Sequence, residues 1–326
     1  MSEWARAFFQ HGCTTAPASR KAQARDLGHL IVFLMQFSGS DRRDAWTPRA
    51  SKAFVDALRK AERAPGVRRW QDKSVNRVIA TAKTFAKWVH NLAPFALGNP
   101  MADIRQIPVS LPLDVERAVT AQERARILDA ADLLHQSDVR KDRSRFRGAQ
   151  RPASAWARPW RNRAIVYTLL ETGMRRAAVV AINLADIDFA GSAITVEEKG
   201  GVRHRYKISK EGLSAIRDYL SHERPKDAEH YGDSPAAFLP TSVAHNSTGR
   251  LSARMVNDIW NAVCRQAGVV GKTPHSARHA MGKHIMDATG NVAAVQRQLG
   301  HRNASYSMQY ARIGDSELDK ALNERK

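Results

Sequence analysis

Residues 299–310 read Leu-Gly-His-Arg-Asn-Ala-Ser-Tyr-Ser-Met-Gln-Tyr, with Gly300-His301 at the front and Tyr310 at the end. Alone the stretch says little: the glycine closes a helix over Val292–Leu299, and a tyrosine there reads equally as an amphipathic anchor. Its weight comes from three pieces upstream. Glu171-Thr-Gly-Met-Arg175-Arg176 ends an apolar helix with a glycine and follows it with guanidinium groups, an arrangement that also suits a plain C-cap with cations complementing the dipole. Lys199-Gly200-Gly201 forms the tip of a β-hairpin between Ala193–Glu197 and Val202–Ile208. The two glycines would let that tip approach a groove closely, and a lone ammonium there can protonate a leaving oxygen. Pro274-His275-Ser276-Ala277-Arg278-His279 sets His275 and Arg278 on one face of a helix, although a His-x-x-Arg pattern is weak by itself in so arginine-rich a chain.

Outward from these pieces, the first ~110 residues read as all-helical. Leu27, Leu30, Ile31, Leu34 and Met35 recur at helical spacing; a second helix fits Pro48–Ala64; a third starts near Ser74 and carries Val75, Val78, Ile79, Phe85 and Val89 inward. Leu97-Gly-Asn-Pro100 stops that region, and the prolines of Ile107–Leu113 make an extended linker. Thr120-Ala-Gln-Glu123 is a capping-box pattern opening the second part, whose helices fit Arg163–Thr172, Glu211–His222, Ser252–Ala267, Ala277–Ala288 and Val292–Leu299. Short strands fit Ile187–Phe189 and the hairpin above.

Charge says what kind of partner to expect. The 326 residues hold 52 Lys+Arg against 32 Asp+Glu, a net +20, on a chain with an ordinary 43% of hydrophobic residues. Excess positive charge on a folded chain points to a polyanion, most often nucleic acid. Residues 1–110 carry 18 basic against 8 acidic side chains and the remainder 34 against 24, so both parts are basic, as in a clamp around a duplex. Cys13 and Cys264 make neither a disulfide framework nor a four-ligand zinc site and fit a reducing cytoplasm. The N-terminus lacks a signal-peptide pattern, and no run of ~18 apolar residues suggests a membrane span. Walker, HExxH, G-x-G-x-x-G and G-x-S-x-G patterns are absent, which leaves ATP-driven, zinc-protease and serine-hydrolase readings without support.

Arg175, Lys199 24 residues later, His275/Arg278, His301 23 after Arg278, and then Tyr310 stand in an order and spacing that resembles the tyrosine recombinase (phage integrase) family. Thr172–Arg175 is similar to the first arginine box, Lys199-Gly200 to the lysine hairpin, Pro274–His279 to the second box, and Leu299-Gly-His301 through Tyr310 to the third box and nucleophile. Two departures are visible: Ala178 stands where the family often has an acidic residue, and Ser276-Ala277 replace the usual Asp-Leu.

The resemblance implies a mainly α chain with a small β-sheet. A helical, SAM-like core-binding domain would occupy 1–105, a linker 106–117, and an α+β catalytic domain with a C-terminal tail helix 118–326. It implies a site-specific recombinase that needs neither cofactor nor metal, serves a mobile element, and works as a homotetramer on paired duplex sites through a 3′-phosphotyrosine and a Holliday junction. Tyr310 would be the nucleophile, with Tyr306, four residues earlier on the same helical face, its rival. Arg175 and Arg278 would hold the non-bridging oxygens, His275 and His301 the same phosphate, with His275 also taking the tyrosine proton, and Lys199 would be the general acid. Lys73, Arg77, Lys83, Lys87 and Arg176 are candidate DNA contacts. So are Arg143, Arg145 and Arg147, within a basic run between His135 and Arg163 that also reads as a solvated loop or a dock for an accessory DNA-binding protein. No membrane is expected as a partner; the expected location is the cytoplasm, at the nucleoid. Two alternatives remain open at this level: a type IB topoisomerase-like relaxing enzyme, and a DNA-binding relative whose catalytic site has decayed.

Overall fold

The computed structural model describes residues 1–13, 17–109, 117–135, 158–198, 201–232, 234–241, 249–301, 303–311 and 323. The chain divides into two compact units, residues 1–111 and 112–326. Among the described residues no helix is long and apolar enough to cross a membrane.

In the first unit α1 (Ser2–Ala7), α2 (Pro17–Ser38), α3 (Pro48–Lys60) and α4 (Asp72–Leu92) surround one core. Phe8, Leu27, Leu30 and Leu34 meet Trp46, Phe54, Val78, Ile79, Phe85 and Val89 there. The apolar residues of α4 recur at i, i+3, i+4 and i+7, so one stripe of that helix is dry and the opposite stripe is free for polar groups. Thr47 caps α3, its side chain accepting from Ala50 N, and Pro48 occupies the first turn, where its missing N–H costs nothing.

The expectation of a purely helical first unit is corrected between α3 and α4. Helix α3 stops at Lys60 instead of Ala64, and Glu62–Ala64 (β1) pairs antiparallel with Val67–Arg68 (β2). Pro65 denies the helix an N–H and Gly66 turns the chain at φ +72°, so the segment folds back as a hairpin. The apolar periodicity of α3 ends at Leu58, which leaves nothing to hold residues 61–64 on the core.

The second unit is built on α6 (Pro159–Thr172), which is buried nearly all round from Ala164 to Thr172 and is therefore a central rather than a surface helix. Around it lie α5 (Ala121–Asp132), α7 (Arg176–Ala181), α8 (Lys210–His222), α9 (Arg224–Ala228), α10 (Ala253–Gln266), α11 (Pro274–Thr289), α12 (Val292–Leu299) and α13 (Ser305–Met308). The Thr120 capping box at the start of α5 forms as the sequence suggests. Strands β3 (Ile187–Asp188), β4 (Ala193–Glu198) and β5 (Val202–Lys207) make an antiparallel sheet in that order, with Ile194, Val196 and Tyr206 packed on the core.

Three arginines at the end of the basic run, Arg158 at the N-cap of α6 and Arg161 and Arg163 within it, are spent inside the fold. Arg158 grips Asp227 through Nε and Nη2 at 2.7 and 2.6 Å, both side chains being buried. Arg161 donates to the Leu239 carbonyl at 2.9 Å, and Arg163 bridges Asp132 and Asp218. Arg143, Arg145 and Arg147, like the tail helix after Asp315, lie outside the described residues.

Candidate active site

Two helix ends and one buried guanidinium form the framework of the site. Helix α6 ends at Gly173 (φ +68°) and α12 at Gly300 (φ +64°), both in the left-handed conformation that glycine tolerates. A Cβ at position 173 would also lie 2.8 Å from Leu299 and 3.0 Å from Met281. Arg278, on α11 and 2% exposed, donates to the Gly173 carbonyl at 2.9 Å and to the Leu299 carbonyl. A cation set against the carbonyl ends of two helices is electrostatically favoured there, which offsets part of its burial. Burial and then the neighbouring Arg175 push its pKa down, but an arginine begins so high that it stays charged. Gln298 completes the junction, donating to the Thr172 carbonyl at 3.1 Å and the Lys207 carbonyl at 2.8 Å.

Arg175 follows Gly173 by two residues, at the N-cap of α7, and is half-exposed. Its Nη1 donates to Glu198 at 2.6 Å, and the Tyr206 hydroxyl donates to the other oxygen of the same carboxylate. Glu198, at the end of β4, is thus a holder of Arg175 that sequence reasoning missed. Its position next to Lys199 was the available signal. Lys199 lies outside the described residues, while β4 and β5 on either side form the hairpin the sequence suggests. Ala178 is buried at 4% exposure on α7, and Ser276 caps the start of α11 together with Thr273. Both departures from the usual pattern therefore sit in packed or capping positions.

His301 follows Gly300 directly. Its Nδ1 lies 2.8 Å from the Ser307 hydroxyl, and its ring stacks on Tyr310 with centroids 6.4 Å apart and planes within 5°. Burial first, then Arg278 and Arg175, push its pKa down to about 4. The unfolded chain's histidine titrates near ~6.5. Between these values the unfolded chain takes the proton, so this contribution to stability is complete above about pH 6.5 and is lost as pH falls through 4. NMR of the DNA-free protein should find His301 neutral at pH 6, and an anionic phosphate at the site should raise its pKa. A free-protein value near 6.5 would contradict the geometry.

Tyr310 is 7% exposed and packs with Val295 and Leu299, its ring lying over Gly282, where a Cβ would come within 2.6 Å of Cζ. Its hydroxyl is 2.8 Å from Nδ1 of His279. His279, the residue after Arg278 at the end of the second box, has no role in the sequence pattern. It lies four residues after His275, whose exposed ring meets it edge-on at 4.4 Å. The i, i+4 spacing was the signal for this pair. Tyr306 is 63% exposed. The two tyrosines do not share a helical face as the spacing suggested, because α13 ends at Met308 and Tyr310 turns inward beyond it. Arg278, Arg175, His301, His279 and Tyr310 thus converge, with His275 at the rim.

The remaining candidates lie apart. Arg176 is exposed at the start of α7. In the first unit Lys73 and Lys87 are exposed and Lys83 is half-buried along α4. Arg77 has an internal partner: its Nη1 donates at 2.7 Å to Asp26, a carboxylate 1% exposed that also accepts from Thr81. Arg77→Ala should lower stability by about 1–3 kcal/mol by leaving a buried charge without its cation. A denaturation midpoint equal to wild type would show instead that Arg77 is available to a ligand.

The family model of the phage integrase family matches residues 151–317. The tyrosine recombinase XerC of Bifidobacterium longum subsp. infantis is 30% identical over 167 residues, which is 51% of this chain and 47% of that protein. The chain thus spans about half the length of that curated relative. Among solved structures, XerH recombinase bound to its difH substrate in a pre-cleavage complex superposes with a TM-score of 0.66 at 15% identity, covering 94% of this chain and 79% of that one. A lambda integrase tetramer bound to a Holliday junction gives 0.60 at 16% identity, over 93% and 76%. These likenesses show a shared fold. The family match spans half the chain and takes in every residue from Arg175 to Tyr310, and on that ground the chain belongs to the phage integrase family, the tyrosine recombinases.

Proposed function

We propose that this protein is a site-specific DNA recombinase that cuts and rejoins strands through Tyr310. The observation that carries the reading is the Tyr310 hydroxyl held 2.8 Å from His279 beside His301, next to two guanidinium groups fixed from separate parts of the chain. A phenol is a poor nucleophile until its proton is taken, and a neutral His279 with its hydrogen on Nε2 accepts that proton at Nδ1. Attack then forms the Tyr310 oxygen–phosphorus bond and releases the 5′ oxygen, which Lys199 protonates. The negative charge that grows on the non-bridging oxygens meets Arg175, Arg278 and a neutral, hydrogen-donating His301. Stored as a 3′-phosphotyrosine, the bond energy serves the rejoining step.

Arg278 reaches the phosphate only if its backbone bonds are shared with or exchanged for phosphate oxygens, whereas Arg175 needs only to leave Glu198. Substrate binding would therefore compete with an ion pair at one arginine and with two helix ends at the other. A tetramer on paired duplex sites, a Holliday-junction intermediate, a mobile-element role, an accessory DNA-binding protein and a place at the nucleoid belong to the same proposal. The net +20 charge and the DNA-bound relatives support its duplex partner. The test is a duplex nicked beside the scissile phosphate, which loses its short leaving strand on cleavage and traps the enzyme. Covalent adduct with the cognate site supports the reading. Plasmid relaxation without any site would favour a topoisomerase, and duplex binding without adduct a decayed relative.

A further inference from the structure

Ser307 joins the two ends of the active-site turn. It lies on α13, between His301 and Tyr310 in the chain, and is 0% exposed. Its hydroxyl is 2.8 Å from Nδ1 of His301, and its carbonyl accepts from Tyr310 N at 3.1 Å. The main chain of His301 is held separately by Gln296. That side chain donates to the His301 carbonyl at 3.0 Å, and the Gln296 carbonyl accepts from His301 N at 3.3 Å. Only the side-chain torsions of His301 are left to settle. Stacking on Tyr310 sets the plane of the ring, and the Ser307 hydroxyl sets its rotation within that plane.

The hydrogen positions follow from the burial of Ser307. A hydroxyl sealed from water is costly to leave without an acceptor. Among the described residues the one hydrogen-bond partner of Ser307 Oγ is Nδ1 of His301. The reverse arrangement, with Nδ1 donating to Oγ, would strand the hydroxyl hydrogen. Burial and the neighbouring Arg278 and Arg175 keep the ring neutral at physiological pH. A neutral imidazole that accepts at Nδ1 carries its hydrogen on Nε2.

We infer that Ser307 is a positioning residue whose hydroxyl locks His301 in the Nε2–H tautomer and whose carbonyl ties that ring to the turn carrying Tyr310. Nε2–H is then the ring's donor, and a phosphate oxygen can be met without first moving a proton. Donor and nucleophile are fixed to one residue, so their mutual geometry does not have to be found anew on each substrate. The effect on cleavage rests on the recombinase reading; the tautomer does not.

The test is ¹⁵N NMR of the DNA-free, histidine-labelled protein at neutral pH, beside single-turnover cleavage of the nicked duplex. Wild type should show His301 with its hydrogen on Nε2 and with Nδ1 shifted by an accepted hydrogen bond. Ser307→Ala should move the Nδ1 resonance and slow cleavage about 10- to 100-fold, the range for losing a partner that orients a functional imidazole, with duplex affinity nearly unchanged. Ser307→Thr, which keeps the hydroxyl, should restore both. Circular dichroism checks that the variants fold, and the wild-type spectrum needs no variant. A hydrogen on Nδ1 in the wild type overturns the inference. So does Ser307→Ala with unchanged His301 resonances, which would make Ser307 a packing residue, or with cleavage at the wild-type rate. A wild type that shows the Nε2–H spectrum but forms no adduct would sink the recombinase reading and leave the tautomer assignment standing.

Discussion

Tyr310→Phe binds its duplex and leaves no covalent adduct on a nicked substrate, while Tyr306→Phe cleaves within about twofold of wild type. The first loss is roughly 10⁴-fold or more, because no other group replaces a missing nucleophile. The contrast follows from position. Tyr310 is buried against Gly282, with its oxygen on His279 and its ring parallel to His301. Tyr306 is 63% exposed, with its ring 6.2 Å from His301 at a steep angle. Losing the Tyr310 hydroxyl also removes a buried hydrogen bond, so Tyr310→Phe should be less stable by about 1 kcal/mol. That is too little to explain an inactive enzyme. Retained cleavage in Tyr310→Phe with loss in Tyr306→Phe would reverse the assignment and require the last turn to rearrange on DNA.

The two arginines should separate in a second way. Arg175→Ala removes a half-exposed side chain whose carboxylate partner keeps a hydrogen bond from Tyr206, so stability falls by only about 1 kcal/mol. Its cleavage rate falls by about 10²–10³-fold, the effect of losing one donor to the charge that develops in the transition state. Much of the duplex affinity survives, since many phosphates are held elsewhere. Arg278→Ala loses cleavage to a similar or greater degree and also the pin between α6, α11 and α12. The Gly173 and Leu299 carbonyls lose their donor and a void opens at a nearly inaccessible position. A destabilisation of about 3–5 kcal/mol follows. Urea denaturation set beside single-turnover cleavage distinguishes the cases. Equal stability of the two variants would mean that Arg278 does not clamp the helix ends.

Much of this architecture can be read from local pattern. Gly173 and Gly300 announce the ends of α6 and α12 because left-handed caps select glycine, and the residues just after them, Arg175 and His301, sit where the chain turns into the site. The dry stripe of α4 and the Thr120 capping box are equally local signals. What was not legible depends on contacts between distant segments. Glu198 looks like any strand-end carboxylate until Arg175 and Tyr206 arrive from elsewhere. Arg158 and Arg161 look like members of a solvated basic run until Asp227 and the Leu239 carbonyl receive them. His279 was hidden by the stronger His275/Arg278 pattern in the same turn. The β1–β2 hairpin was hidden because Pro48–Ala64 begins as a strongly amphipathic helix, and only the loss of apolar positions after Leu58 marks its end.

The location of the trapped bond decides most directly whether Tyr310 is the nucleophile. A suicide duplex is incubated with the protein, the adduct is digested with nuclease and trypsin, and the nucleotide-bearing peptide of residues 303–312 is fragmented in a mass spectrometer. That peptide contains both tyrosines, so fragmentation decides between them. The expected result is a phosphodiester remnant on Tyr310 and a free 5′-hydroxyl on the released strand. A remnant on Tyr306, a 5′-linked adduct, or a cognate duplex bound without any adduct would contradict it.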